Sequence, residues 1–198
     1  MKLFYSPTSP YVRNVMACAI LRGLDGRIEK VPTNPHQSPP GLIAANPLSK
    51  VPCLLADDGT ALFDSPVICE YLDDLGTAPK LFPAPGPARW RALVLQAMGD
   101  GILDASVPRR AEQARPREDA RDAAIARMRD AVNRTLAMLE AAPPGEALDI
   151  GTIAVACGLG YLDFRFAAEP WREAHPKLAA WFARIGAVPA LAATAPKE

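Results

Sequence analysis

The chain has 198 residues, with 22 Lys and Arg against 22 Asp and Glu, so its formal net charge is zero. That balance leaves no whole-chain basic footprint for nucleic acid. A hydrophobic content of 49% is too high for a disordered chain. No apolar run approaches the roughly 20 residues that cross a bilayer, and the start, Met1 to Tyr5, lacks the apolar core of a secretory signal. A soluble, cytoplasmic protein with no membrane or nucleic-acid partner is expected. The four cysteines, Cys18, Cys53, Cys69 and Cys157, form no C-x-x-C pair and stand at no zinc spacing from His36 or His175. No metal site and no disulfide scaffold is expected.

Residues 2–5 read as a short strand. Residues 10–22 read as a helix, with Pro10 at its first position and Gly23 past its end. A second strand is predicted over 27–31 and a helical turn over 40–45. Strands 53–56 and 61–63 flank Asp57-Asp58-Gly59, a hairpin signal. A helix follows over 66–75. The order β-α-β then β-β-α implies a mixed sheet carrying helices. Residues 79–87 hold four prolines and a glycine, which reads as a linker. Helical patterns then cover 86–113, 118–141, 150–167 and 176–186. Alanine follows the same division, with 6 in residues 1–77 and 30 in residues 78–198. The predicted domains are therefore 1–78 and 88–198, joined by 79–87. The acids and arginines mixed along 118–141 read as a solvated face with local ion pairs.

Three loops carry candidate chemistry. In Ser6-Pro7-Thr8-Ser9-Pro10-Tyr11-Val12-Arg13, Ser9 stands at a helix cap. A helix N-terminus favours an anion, and a hydroxyl there can donate to a thiolate; both lower a thiol pKa. In Asn46-Pro47-Leu48-Ser49-Lys50-Val51-Pro52-Cys53, the proline before a strand is a candidate cis bond. A cis Val51–Pro52 turn leaves the Val51 N–H and C=O open to an extended peptide, with Lys50 a cation for its carboxylate; the alternative is a plain turn with an exposed lysine. In Phe63-Asp64-Ser65-Pro66-Val67-Ile68, Ser65 caps a helix and can hold a second carboxylate, while Asp64 can pair with an ammonium group. Simple capping is the alternative at both Ser9 and Ser65. Together the three loops imply one ligand, a short peptide with a thiol, two carboxylates and an amine. Glutathione fits that description.

On these segments, and on Gly160-Tyr161-Leu162-Asp163-Phe164-Arg165 and His175-Pro176-Lys177-Leu178, the chain resembles the bacterial glutathione S-transferase family, in particular its YibF-type members. The resemblance spans nearly the whole chain. It implies a thioredoxin-like α/β domain followed by an all-α domain, usually as a homodimer. It implies glutathione as co-substrate: Val51 pairing with the cysteinyl backbone before cis Pro52, Asp64 and Ser65 at the γ-glutamyl end, Lys50 near the glycyl carboxylate, and Ser9 facing the sulfur. Ser6 and Thr8 remain alternatives to Ser9. The expected activity is conjugation of the thiolate to a small hydrophobic electrophile, as in detoxification. The rival expectations are a non-catalytic glutathione-binding stress or regulatory protein, and a glutathione-dependent lyase or reductase that uses Cys53, for which the alternative is a plain buried strand cysteine.

Departures from the family pattern narrow these expectations. Ser9-Pro10-Tyr11-Val12 resembles a glutaredoxin-type site with neither cysteine, so no enzyme disulfide can form there. Asp64 replaces a common glutamate and Ser49 a common glycine. Asp149-Ile150-Gly151-Thr152 stands in the place of a Ser/Thr-x-x-Asp capping box with acid and hydroxyl exchanged, and is expected to cap all the same. The resemblance makes Asp100 and Asp104 candidates for reaching glutathione across a dimer; the alternatives are core-adjacent caps or solvated acids. Tyr11, Trp90, Met98 and Trp171 are candidates for a second-substrate pocket, or for core or interface.

Overall fold

A computed structural model describes residues 1–196; the last two residues of the predicted second domain lie outside the described residues. The chain divides into two compact units. The first runs from Met1 to Arg89 and takes in the stretch from Pro189 onward; the second is Trp90–Val188.

The first unit is a four-stranded mixed sheet with helices. Strands β1 (Lys2–Tyr5), β2 (Glu29–Pro32), β3 (Cys53–Leu55) and β4 (Ala61–Leu62) lie in the order β2-β1-β3-β4. Helix α1 (Pro10–Leu21) joins β1 to β2, which pair in parallel with Leu3 opposite Lys30. A crossover helix makes that direction possible. The Asp57-Asp58-Gly59 turn closes β3 onto β4 as an antiparallel hairpin, with Leu54 opposite Leu62. Pro32, which can donate no ladder bond, sits on the edge strand. Helix α2 (Pro40–Ala45) packs against β3, and α3 (Ser65–Leu75) packs against both β3 and α1. Leu3, Val15, Ala17, Leu54, Ile68 and Leu72 are fully buried between these layers.

The stretch read as a linker belongs to the first unit. Leu81 and Phe82 are buried. Their N–H groups donate to the Asp73 carboxylate on α3 at 2.7 and 3.2 Å. A short helix, α8 (Pro189–Ala193), also packs on α1, although the sequence reading placed this stretch with the helical domain. Five residues carry too little periodicity to show where they dock.

The second unit is helical: α4 (Pro87–Gln113) from Trp90 on, α5 (Asp119–Ala141), α6 (Ile150–Arg165) and α7 (Pro176–Gly186). Helix α6 is buried from Ile150 through Leu162, so it forms the centre of this unit. Such a helix needs its free N–H groups satisfied internally. The Asp149 carboxylate accepts from the Thr152 N–H at 2.9 Å, and the Asp149 N–H donates to the Thr152 hydroxyl at 3.0 Å. The exchanged capping box thus works in both directions. Asp149→Ala is expected to cost about 1–2 kcal/mol, read as a lower denaturation midpoint.

Close packing of α4 on α6 depends on glycine. A Cβ at Gly99 would lie 2.3–2.6 Å from the Ala154 and Val155 backbone. Backbone cannot swing aside as a flexible side chain can. Gly99→Ala is expected to destabilise by about 1–3 kcal/mol or more, with no matching loss for Gly101→Ala, whose Cβ meets nothing within 4 Å.

Candidate functional site

Strand register gathers the three loops at one end of the sheet. Phe4 pairs with Cys53, so the loop leaving β1 at Tyr5 and the segment entering β3 at Pro52 are neighbours. Leu54 pairs with Leu62, which brings Phe63–Asp64–Ser65 to that same end. Ser9, Lys50, Val51, Pro52, Asp64 and Ser65 all belong to the first unit.

Ser9 is the N-cap of α1, with Pro10 following it, and is half-buried. Its Oγ accepts from the Val12 N–H at 3.3 Å. A hydroxyl that accepts still has its own proton to donate. Capping and donation to a bound anion are therefore compatible uses of the same oxygen. Ser6 helps to shape the turn, its carbonyl accepting from the Ser9 N–H at 3.1 Å.

The Val51–Pro52 peptide bond is cis, as is Phe63–Asp64. Among the described residues, neither the Val51 N–H nor its C=O is bonded to another backbone group. Pro52 is buried, Val51 half-buried and Lys50 exposed. The loop before them is held by Asn46, buried at 1% exposure. Its Oδ1 accepts from the Leu48 N–H at 3.0 Å and its Nδ2 donates to the Lys50 carbonyl at 2.9 Å. This role of Asn46 is not among the sequence expectations; its signal is the Asn-Pro turn, where an asparagine side chain bonds the backbone two residues on. Ser49 has φ of 50°, the left-handed region, which explains why glycine suits this position. Its hydroxyl donates to Pro35 O at 3.2 Å and meets Ser38 Oγ at 3.0 Å, which offsets the conformational cost.

Helix α3 begins one residue earlier than predicted. Asp64 is the N-cap and Ser65 the first helical residue, because Asp64 already holds extended backbone. The Asp64 side chain makes no capping bond and is exposed. Its carboxylate has no ion-pair partner among the described residues, whereas Ser65 is buried at the helix start.

Cys53 is fully buried, and burial pushes its thiol up to about 11. The thiolate is the reactive form, so this environment disfavours Cys53 as a nucleophile at neutral pH. Of the second-substrate candidates, Tyr11 and Met98 are half-buried and Trp90 is 68% exposed on α4. Trp171 is buried in the second unit, its indole N–H donating to Asp163 at 2.9 Å. It lines a cavity of about 360 Å³ together with Arg109, Phe166 and His175. Asp100 is half-buried and Asp104 exposed on α4.

Two family models match this sequence: the glutathione S-transferase N-terminal domain over residues 8–75 and the C-terminal domain over residues 122–184. The chain belongs to the glutathione S-transferase family. Its relatives include the uncharacterized GST-like protein YibF of Escherichia coli K12, 35% identical over 183 residues that cover 90% of each chain. A glutathione transferase family member from Pseudomonas fluorescens Pf-5, crystallised with bound glutathione, is 43% identical. It superposes with a TM-score of 0.93 over 100% of this chain and 99% of that one. A second crystal structure described as a P. fluorescens Pf-5 family member holds S-(propanoic acid)-glutathione, at 42% identity and TM-score 0.90 over 100% and 99% of the chains. The two-unit fold of this glutathione S-transferase family member, a mixed sheet followed by helices, is the fold that the family resemblance implied. Among its described residues, no helix is long and apolar enough to cross a membrane.

Proposed function

We propose that the chain is a glutathione transferase that joins the glutathione thiolate to a small electrophile. The observation that carries this reading is the glutathione bound by a family member 43% identical over the whole chain. The local geometry supports it. The unpaired N–H and C=O of Val51 suit the cysteinyl backbone of an extended peptide. Ser65, at the start of α3, suits the γ-glutamyl carboxylate, and the exposed Asp64 carboxylate suits its ammonium group. Lys50 supplies a cation for the glycyl carboxylate. Ser9 donates its free hydroxyl proton to the sulfur, at a helix end whose dipole also favours the thiolate. The sulfur then attacks the electrophilic carbon held beside it. Positioning of the two reactants contributes at least as much as thiol activation.

The S-(propanoic acid)-glutathione in the 42% identical structure supports a three-carbon acid as one electrophile class. In an addition of this kind the thiolate forms a C–S bond to the β-carbon of an unsaturated acid, and water protonates the α-carbon. The test is a conjugation assay with purified protein, glutathione and a panel that includes acrylate. Product formation above the uncatalysed rate supports the reading. Glutathione binding without turnover of any electrophile would make the chain a binding module instead.

A homodimer accompanies this reading. Trp90 and Val94 stand four apart on α4 and are 68% and 58% exposed, an apolar pair suited to a second copy of the chain. Sedimentation is expected to give a dimer that Trp90→Glu weakens; a monomer at all concentrations would refute it.

A further inference from the structure

Arg13 is a charged residue on the buried face of α1, followed by the buried Asn14, and has no part in the site described above. It lies one turn past Ser9, its backbone N–H donating to the Ser9 carbonyl at 3.1 Å. Helical side chains lean toward the N-terminus, which carries this cation toward the Ser9 end of α1. The residue is 8% exposed. Its Nη2 donates to the Leu191 carbonyl on α8 at 3.2 Å, while Nε and Nη1 are buried with no hydrogen-bond partner.

No carboxylate among the described residues pairs with Arg13, and the acids on the elements packed around α1 are largely engaged elsewhere. On α3, Glu70 pairs with Arg89, Asp73 with Arg22 and Lys80, and Asp74 with Lys80. That helix otherwise carries Cys69 and Tyr71, and α1 itself carries Tyr11 and Cys18. Asp25 and Arg27 lie in the 3-10 turn beyond the far end of α1, where Arg27 pairs with Asp57. Helix α8 has no titratable side chain. The Leu191 bond ties α1 to α8, but it uses only one of the three guanidinium nitrogens and leaves a buried charge with no counter-ion among the described residues.

We infer that Arg13 is a positioning residue for the thiolate. Its buried charge adds to the α1 dipole and the Ser9 hydroxyl in raising the thiolate fraction of bound glutathione. The inference rests on the glutathione reading above. One charge acting across about 10 Å at an effective dielectric near 20 shifts a thiol by about one pKa unit.

The test is the pH titration of the bound thiolate by its ultraviolet absorbance, in wild type, Arg13→Lys, Arg13→Met and Arg13→Gln, with calorimetric glutathione affinity and melting temperature measured alongside. Arg13→Met and Arg13→Gln are expected to raise the bound thiol pKa by about one unit. Arg13→Lys is expected to stay near wild type, and Arg13→Met to fold with a modestly lower melting temperature, since it leaves the Leu191 carbonyl without its donor. An unchanged thiol pKa in neutral variants that still bind glutathione would overturn the inference and leave Arg13 as a tie between α1 and α8. Neutral variants that fail to fold would overturn it too, because the cation would then be a requirement of the fold. A wild-type chain that binds no glutathione sinks the underlying reading, and this inference with it.

Discussion

Asp73→Ala is expected to destabilise the protein by about 3–5 kcal/mol, the range for removing one partner of a buried ion pair. Asp73 and Arg22 are 2% and 1% exposed, and Arg22 Nε lies 3.1 Å from the Asp73 carboxylate. Without that carboxylate, a guanidinium is left in a low-dielectric interior. The Leu81 and Phe82 N–H groups lose their acceptor at the same time. For a chain of this size the loss corresponds to a melting temperature lower by on the order of 10 °C. The double variant Arg22→Met/Asp73→Ala is expected to recover part of this, because it removes the stranded charge. It is not expected to recover all of it, because the two backbone donors stay unpaired. Thermal denaturation of the single and double variants checks both statements. A single variant within about 1 kcal/mol of wild type, the scale of an exposed pair, would contradict the account.

The second large effect is on activity. Ser9→Ala is expected to lower kcat/KM for conjugation by about 10- to 100-fold, since it removes both a donor to the thiolate and part of the drive to deprotonate it. It also removes the α1 cap, for about 1 kcal/mol of stability. Ser9→Thr keeps a hydroxyl suited to both tasks and is expected to restore much of each. Ser6→Ala and Thr8→Ala separate the alternatives in the same loop. If either costs more activity than Ser9→Ala, the sulfur faces a different hydroxyl.

Local chemistry accounts for what was legible in advance. Pro10 marks a helix start, Pro66 marks one to within a residue, and Asp57-Asp58-Gly59 marks the hairpin; these patterns depend only on neighbouring residues. The Asp149–Thr152 box was legible with its acid and hydroxyl exchanged, because capping needs an acceptor at each end rather than a fixed order. What escaped depended on distant partners. Residues 79–87 have the composition of a free linker, yet Asp73 on α3 fastens two of their N–H groups. The docking of α8 on α1 and the solitary burial of Arg13 likewise arise from packing between positions 178 residues apart. Of the candidate site, the three loops and the cis Val51–Pro52 bond were legible, and the strand register supplied their common end of the sheet. The burial of Cys53 was legible too, because a cysteine in an apolar strand behaves as a small hydrophobe.

The central claim is that the first unit binds glutathione with its sulfur at Ser9 and holds it as the thiolate. The most direct measurement is the ultraviolet thiolate absorbance of glutathione titrated with the protein at neutral pH, for wild type and Ser9→Ala. The account predicts a saturable signal of one thiolate per chain in wild type. In Ser9→Ala the signal falls sharply while calorimetry still detects bound glutathione. No saturable signal in wild type, or an equal signal in both proteins, would contradict it.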